Sequence, residues 1–344
     1  MRKLLKRVGW GILSTARIAR ETMIQAIQRA GNAKIVAIAS CNEQVQHVAQ
    51  QFHIPKVYDN YEALLVDPEV EVVYIPLPNH LHMEWAIKAA EHKKHVLCEK
   101  PAALCEEDVR KVVKACRENG VIWMEAFMYQ FHPQHRRVKE MIASGEIGEV
   151  KSIRSSFSFY LAERESNIRM NETFGGGSLL DVGCYCIHSI RFLLQAEPVV
   201  LSVCSTYDDQ YGVDTLTSGW LQMNNGVHAS IDCSFNMFPR NEYEIIGTKG
   251  KLVVPRAYRP DIQQGDGLII IQTDEGIVKE EIVKGDQYRL QVEHFSQCVI
   301  DRTKPSYSDD EIIQQAKVLD VCRLSAKTGK VIELVETRKE EREK

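Results

Sequence analysis

Within GGGSLLDVGCYCIHS, residues 175–189, an acid, a phenol and an imidazole interrupt an apolar run at Asp181, Tyr185 and His188. On a helix the spacing i, i+4, i+7 stacks such side chains along one stripe, within reach of one another or of a shared ligand. The stripe is therefore either an active site or a satisfied polar cluster beneath a loop. In the second case Asp181 caps the helix after the glycines, Tyr185 is a core tyrosine with a bonded hydroxyl, and His188 answers a buried carbonyl. Other clusters carry less. His80, His82, His92, His95 and Cys98 are metal-ligand types, but they straddle a helix and the next strand without an HxxxH or CxxC pair, so no metal is expected. The basic run His135-Arg136-Arg137-Val138-Lys139 reads as a solvated helix face.

Groups meant for chemistry need elements to hold them. Over residues 1–125 strand and helix patterns alternate. RVGWGIL is a strand and Arg17 to Ala30 a helix; KIVAIAS is a strand that is apolar throughout, as burial on both faces requires. A helix over Glu43 to Phe52 and a shorter one in DNYEALL come next. Then come the strand VEVVYIPLP, the helix HLHMEWAIKAAEHK, the strand HVLCEK, the helix EEDVRKVVKACREN and the strand VIWMEA. This alternation predicts a Rossmann-type, doubly wound parallel sheet with helices on both faces and ligands beyond the carboxyl ends of its strands.

Residues 126–344 read differently. After the helix HPQHRRVKEMIASG and the glycine-led segment come VVLSVCSTY, TLTSGWLQM, GVHASIDCSF, EYEIIGT, GKLVVP, LIIIQT and GIVKEEIV, parted by NNG, TKG and DEG turns. They predict an α+β domain with an open, mostly antiparallel meander, closed by a helix over about 310–328 and a solvated tail, VETRKEEREK. A chain of 344 residues suits two such domains. With a net charge of −4 it has no bulk attraction for nucleic acid or an anionic membrane, and no stretch is apolar enough to span a bilayer. The start MRKLLKRVGWGIL, broken by Gly9 and Gly11, reads as a first strand rather than a signal peptide. Ten scattered cysteines without a CxxC pair point to free thiols in a reducing, cytoplasmic setting.

At the first strand–helix junction a dinucleotide fold holds the cofactor's pyrophosphate on backbone N–H groups and a helix dipole. The turn expected to do this runs through Gly11, Ser14, Thr15, Ala16, Arg17 and Ile18, with Ser14, Ala16 and Ala19 where glycines are usual. After the second strand, where an acid would take ribose hydroxyls and a basic residue a 2′-phosphate, stand Ser40, Cys41 and Asn42. They do not choose between NAD and NADP.

The segment VYIPLPNHLHMEWAIKAAEHKKHVLCEKPAAL resembles the glucose–fructose oxidoreductase and inositol dehydrogenase (Gfo/Idh/MocA) family, whose Glu-Lys-Pro signature matches Glu99-Lys100-Pro101. EAFMYQFHP, GGGSLLDVGCYC and KPSYSDDEIIQQAKVLDVCRLSAKTGKVI match in order, so the resemblance covers nearly the whole chain. Asp181-Val-Gly-Cys-Tyr185 is similar to the branch containing glucose–fructose oxidoreductase and the dimeric dihydrodiol dehydrogenases. The resemblance implies a nicotinamide-dependent oxidoreductase with Lys100, Asp181 and Tyr185 as catalytic set. Pro76, Asn79, His80 and Glu99 would then line the nicotinamide side, and the outer face of the second sheet would make a homodimer or larger homo-oligomer. Gln130 departs from the pattern, which often has arginine there and so a substrate-side cation.

Reducing a carbonyl takes a hydride and a proton. A tyrosine, with an ordinary pKa of about 10, needs help near neutrality; the expectation is that Lys100 lowers it and stabilises the alkoxide, while Asp181 orients Lys100 or a substrate hydroxyl. His188, Phe159 and Arg164 are the expected substrate contacts, the last two from a loop over 157–174. The substrate is a sugar, polyol, dihydrodiol or dicarbonyl. The competing function is a cofactor-binding regulator without turnover, which would have no need of a proton donor.

Overall fold

In the computed structural model, residues 6–276 and 278–334 are described; the first five residues, Ile277 and the tail VETRKEEREK lie outside that set. Six parallel strands come first: β1 Val8–Leu13, β2 Ala33–Ala39, β3 Lys56–Tyr58, β4 Val72–Ile75, β5 His95–Cys98 and β6 Trp123–Glu125. Their order, β3-β2-β1-β4-β5-β6, reverses direction between β1 and β4 and makes the sheet doubly wound. The crevice at that reversal is where such sheets take a ligand. β1 and β4 are buried along their whole length, which is why they carry almost unbroken apolar runs. The helices α1 Ile24–Arg29, α2 Gln44–Phe52, α3 Tyr61–Leu65, α4 His82–Glu91 and α5 Glu106–Asn119 supply the crossovers.

The second sheet is built from β7 Val150–Tyr160, β8 Pro198–Tyr207, β9 Asp214–Met223, β10 His228–Ser234, β11 Asn236–Gly247, β12 Gly250–Val254, β13 Asp266–Thr273, β14 Val278–Lys284 and β15 Ile332–Glu333. Its order is β14-β13-β12-β11-β7-β10-β9-β8-β15, so it is not the simple meander expected. β7, earliest in the chain, inserts between β11 and β10 and runs parallel to β10. Sequence reading leaves β7 unassigned and takes 157–174 as loop, because the strand is serine-rich. Those serines are satisfied inside: Ser155 bonds Ser189 and Tyr258, and Ser158 donates to the carbonyl of Phe238.

α6 Pro133–Ala143, α7 Cys184–Leu194, α8 Gln287–Asp301 and α9 Asp309–Thr328 complete the described helices. α8 is not legible beforehand, since buried Gln287, Gln291 and Ser296 break its apolar stripe. It joins the two halves, with Ser296 accepting a 3.0 Å bond from the indole of Trp10 in β1. The basic run on α6 is not all solvated. His135 is fully buried, its Nδ1 paired with the Tyr243 hydroxyl at 2.8 Å and its Nε2 with the Ala257 carbonyl at 2.9 Å. Val138 is buried too, and Arg137 is tied to Glu281. No helix among the described residues is long and apolar enough to cross a membrane.

Candidate active site

Lys100 lies just past the carboxyl end of β5, at the crevice edge, and its peptide to Pro101 is cis. Across the domain junction it meets Asp181. Its ammonium donates to the Asp181 carbonyl at 2.6 Å and to Oδ1 at 2.9 Å, while Arg169 donates to Oδ2 at 2.6 Å. One buried carboxylate thus carries two cations. Both hold it well below the ordinary aspartate range against the cost of burial, and Asp181 in turn raises Lys100. Arg169 lies within the segment 157–174 that sequence reading takes as loop, and nothing in its spacing ties it to Asp181.

The local fold explains how Asp181 gets there. Residues Leu179–Gly183 form a π-helical turn that runs into α7. Its start is held by Asp214, which accepts from Ser178 Oγ and Leu179 N, both at 2.7 Å, so Asp181 is not the cap. Gly177 has φ of +110°, and a Cβ there would lie 2.2 Å from Asp214 Oδ1, so this glycine is required for the approach. A π-turn inserts an extra residue and rotates the helix beyond it, a device common at functional sites. The turn lies before both Tyr185 and His188, so these two stay on one side of α7, sharing Phe127 and Tyr129 as neighbours, and differ in their polar partners. Asp181 and Tyr185 face the crevice, whereas His188 is 1% exposed, stacked on Phe127, and bonded through Nδ1 to the Tyr129 hydroxyl at 2.6 Å. His188 lines a separate cavity of about 370 Å³ together with Lys139, Arg191 and Gln130. His188 and Gln130 thus share the wall of that cavity.

Tyr185 lies under Lys100, with the ammonium 5.1 Å from the ring centroid. Phe127, Phe157 and Tyr258 pack around the ring at 5.3, 5.3 and 5.5 Å, and the hydroxyl points at Met128 Sδ, 3.5 Å away. Burial, then the charge of Glu99, pushes this phenol well above 10. The direction is opposite to the one expected from a nearby lysine, because desolvation is the largest cause. Glu99 accepts a 2.6 Å bond from Tyr74, and burial raises its own pKa.

Along the crevice, Ser14 takes the glycine's place in the phosphate turn with φ of +93°, and its Oγ accepts from Ala16 N at 2.9 Å. Thr15 is buried, its carbonyl bound by Arg20; Arg17 is exposed beside Glu21, and Ile18 accepts from Thr22. Gly11 serves packing instead: a Cβ would come within 2.7 Å of Leu64 and 2.9 Å of Val70. At the end of β2, Ser40 and Asn42 start α2, accepting from Asn42 N at 3.1 Å and Gln44 N at 2.8 Å, and Cys41 is exposed. Pro76 is buried at the end of β4. Asn79 donates to the Gly175 carbonyl at 2.8 Å, and His80 stacks on Phe174 at 4.5 Å with a buried, unpartnered Nδ1. Phe159 lies 5.9 Å from the Arg169 guanidinium, which joins it to the site. Arg164 is held by Asp208 at 3.0 Å and by Asn236, with no link to Asp181 or Tyr185 among its contacts.

These residues fit a nicotinamide dinucleotide. A turn of small residues opens at the switch point, Ser40 to Asn42 follow the neighbouring strand β2, and the His80 Nδ1 is buried without a partner. Fold and site together define a dinucleotide-dependent oxidoreductase with a lysine, an aspartate and a tyrosine gathered at its crevice. Residues 8–127 match the profile described as oxidoreductase family, NAD-binding Rossmann fold, and residues 135–253 that of the GFO/IDH/MocA C-terminal domain. The chain is 38% identical over 326 residues to a D-xylose 1-dehydrogenase (NADP(+)) of Haloferax volcanii, covering 94% of this chain and 99% of that one. It is 33% identical over 254 residues to a trans-1,2-dihydrobenzene-1,2-diol dehydrogenase of Mus musculus, covering 73% and 75%. A 3-ketoreductase from Actinomadura kijaniata, solved with NADP and TDP-benzene, superposes with a TM-score of 0.87 at 28% identity over 93% of this chain and 98% of that one. The chain belongs to the Gfo/Idh/MocA family and is an NAD(P)-dependent oxidoreductase.

Proposed function

We propose that the protein interconverts a carbonyl and a hydroxyl on a sugar, polyol, dihydrodiol or dicarbonyl, with Tyr185 as proton donor and acceptor and Lys100 and Asp181 as its assistants. One observation carries this reading: the Lys100 ammonium, pinned by Asp181, stands over the ring of a crevice tyrosine at the junction of the two halves. Sugar chemistry is supported by the xylose dehydrogenase and ketoreductase relatives. NAD(P), when bound, supplies or takes the hydride. The turn at Ser14 to Ile18 would hold its pyrophosphate, Ser40 to Asn42 its adenosine end, and Pro76, Asn79, His80 and Glu99 its nicotinamide end.

The rest is done by the chain. Its raised pKa keeps Tyr185 protonated through neutral pH, the state a donor to a developing alkoxide must hold. Lys100 stays charged beside it and stabilises negative charge on the substrate oxygen, while Asp181 and Arg169 fix where that ammonium stands. Phe157, Phe127 and Tyr258 exclude water around the phenol. Phe159 and Arg164 are kept as substrate-side residues, the first beside Arg169 and the second further along the same loop.

The reading extends to a division at 1–125 and 126–344, to a cytoplasmic location supported by ten unpaired cysteines, and to self-association through the second sheet, whose open face exposes Trp220. Tyr185→Phe tests the chemistry. Turnover, monitored by nicotinamide absorbance with NAD and NADP in both directions, should fall by about a hundredfold or more, with cofactor affinity unchanged. Turnover equal to the parent's would end the assignment.

A further inference from the structure

Outside the catalytic set, one ionisable side chain is buried against the catalytic loop itself. Glu125, last residue of β6, is 1% exposed. Its Oε1 accepts from the backbone N–H of Ala102 at 2.8 Å, two residues beyond Lys100. Its Oε2 accepts from the hydroxyl of Tyr307 at 3.3 Å. Tyr307 is itself 3% exposed, in the connection between α8 and α9, and packs against the rings of Phe127 and His188. One carboxyl therefore spans the loop that carries Lys100, the end of the last strand of the first sheet, and the core under α7.

We propose that Glu125 is a positioning residue that fixes the Lys100-Pro101-Ala102 loop against the second domain, and that its protonation state sets how firmly. A backbone N–H aimed at a buried carboxyl oxygen ties the loop's path to that carboxyl, and no other side chain bonds Ala102 N among the described residues. The groups acting on Glu125 come from four elements: Cys98 on β5, Lys100 on the loop, Cys184 and Arg191 on α7, and Tyr307 before α9. Only two of them are cations, and neither contacts it. Burial therefore dominates and pushes the carboxyl up to about 8. At neutral pH it is mostly a neutral acid that still accepts from the Tyr307 hydroxyl. Above that value it becomes a buried anion that pulls on the Lys100 ammonium in competition with Asp181. The role in catalysis rests on the proposed part of Lys100; the bridge itself does not, and it is tested on the protein alone.

Infrared difference spectra between pH 6 and 10 should show a buried carboxylic acid band that disappears near pH 8. The band should be absent in Glu125→Gln and shifted to higher pH in Tyr307→Phe, which loses the donor that favours the anion. Amide exchange in the peptide spanning 99–104 should quicken about tenfold or more in Glu125→Ala, and much less in Glu125→Gln, which keeps an acceptor for Ala102 N. If the alanine variant does not fold, the glutamine and phenylalanine variants still read the titration. Where turnover is measurable, kcat should carry an alkaline limb near pH 8 that Glu125→Gln lacks, with KM little moved. A band that titrates in the ordinary carboxylate range, or loop exchange indifferent to Glu125→Ala, overturns the proposal. Both outcomes leave the assignment of Tyr185 standing.

Discussion

Asp181→Asn removes a charge while keeping size; its one amide oxygen can still accept from Lys100 or Arg169, but its NH2 faces the other cation and cannot accept. The Lys100 contact is 2.9 Å, with side chains only 13% and 15% exposed. At an effective dielectric of 20, unit charges at that separation attract by about 6 kcal/mol. Part of this repays the desolvation of both groups, and breaking such pairs by neutralising one partner costs roughly 3–5 kcal/mol. The Arg169 contact, at 2.6 Å, also favours the carboxylate, though water screens a side chain that is 40% exposed. The variant should therefore be destabilised by roughly 3–5 kcal/mol, a fall in melting temperature of roughly 4–7 °C for a chain of this size. With its anion gone, Lys100 keeps only the burial that opposes its charge, so its pKa should drop below the ordinary lysine value. Calorimetry reads the first effect, and the pH dependence of Lys100 acylation, measured by mass spectrometry, reads the second. Melting within about 1 °C of the parent, less than roughly 0.7 kcal/mol, would refute the reasoning. So would an unmoved acylation midpoint, because a buried ammonium cannot lose its counter-ion silently.

Two further outcomes rest on particular residues. His135 is neutral and buried, held down to about 3, whereas the unfolded chain takes up its proton near 6.5; the unfolded state therefore binds more protons between these values, and stability falls as pH drops from 6.5 towards 3. Urea unfolding of parent and His135→Gln should diverge by roughly 1.4 kcal/mol per pH unit below pH 6.5, and parallel curves would remove His135 as the cause. Ser14→Gly should relieve the strain of a serine at φ of +93° and lose its bond to Ala16 N, two effects of about 1 kcal/mol each. Unfolding should thus change by less than about 1 kcal/mol, and a cost of more than about 2 kcal/mol would show that the side chain, not the backbone shape, holds the turn.

The alternation of buried strands with helices, the Glu99-Lys100-Pro101 signature and the Asp181 to Tyr185 spacing were legible in the linear chain, because each is a local pattern. Strand β7 and helix α8 were not, since Ser155, Gln287 and Gln291 are polar residues buried by partners far away in sequence. The same holds at the site. Spacing alone grouped Asp181, Tyr185 and His188, but not their partners: Asp181 takes Lys100 and Arg169, while His188 pairs with the Tyr129 hydroxyl. Arg169 reaches Asp181 only because the loop after β7 folds back over α7. The sign of the shift at Tyr185 was also out of reach: residue types promise a lysine near a phenol, whereas desolvation depends on how much protein encloses both. What the sequence by itself determined was the order of elements and the kinds of groups delivered to the crevice. Which of them share a field, and how deeply each is withdrawn from water, was decided by how α8, α9 and the loops of the second half pack onto the first sheet and its helices.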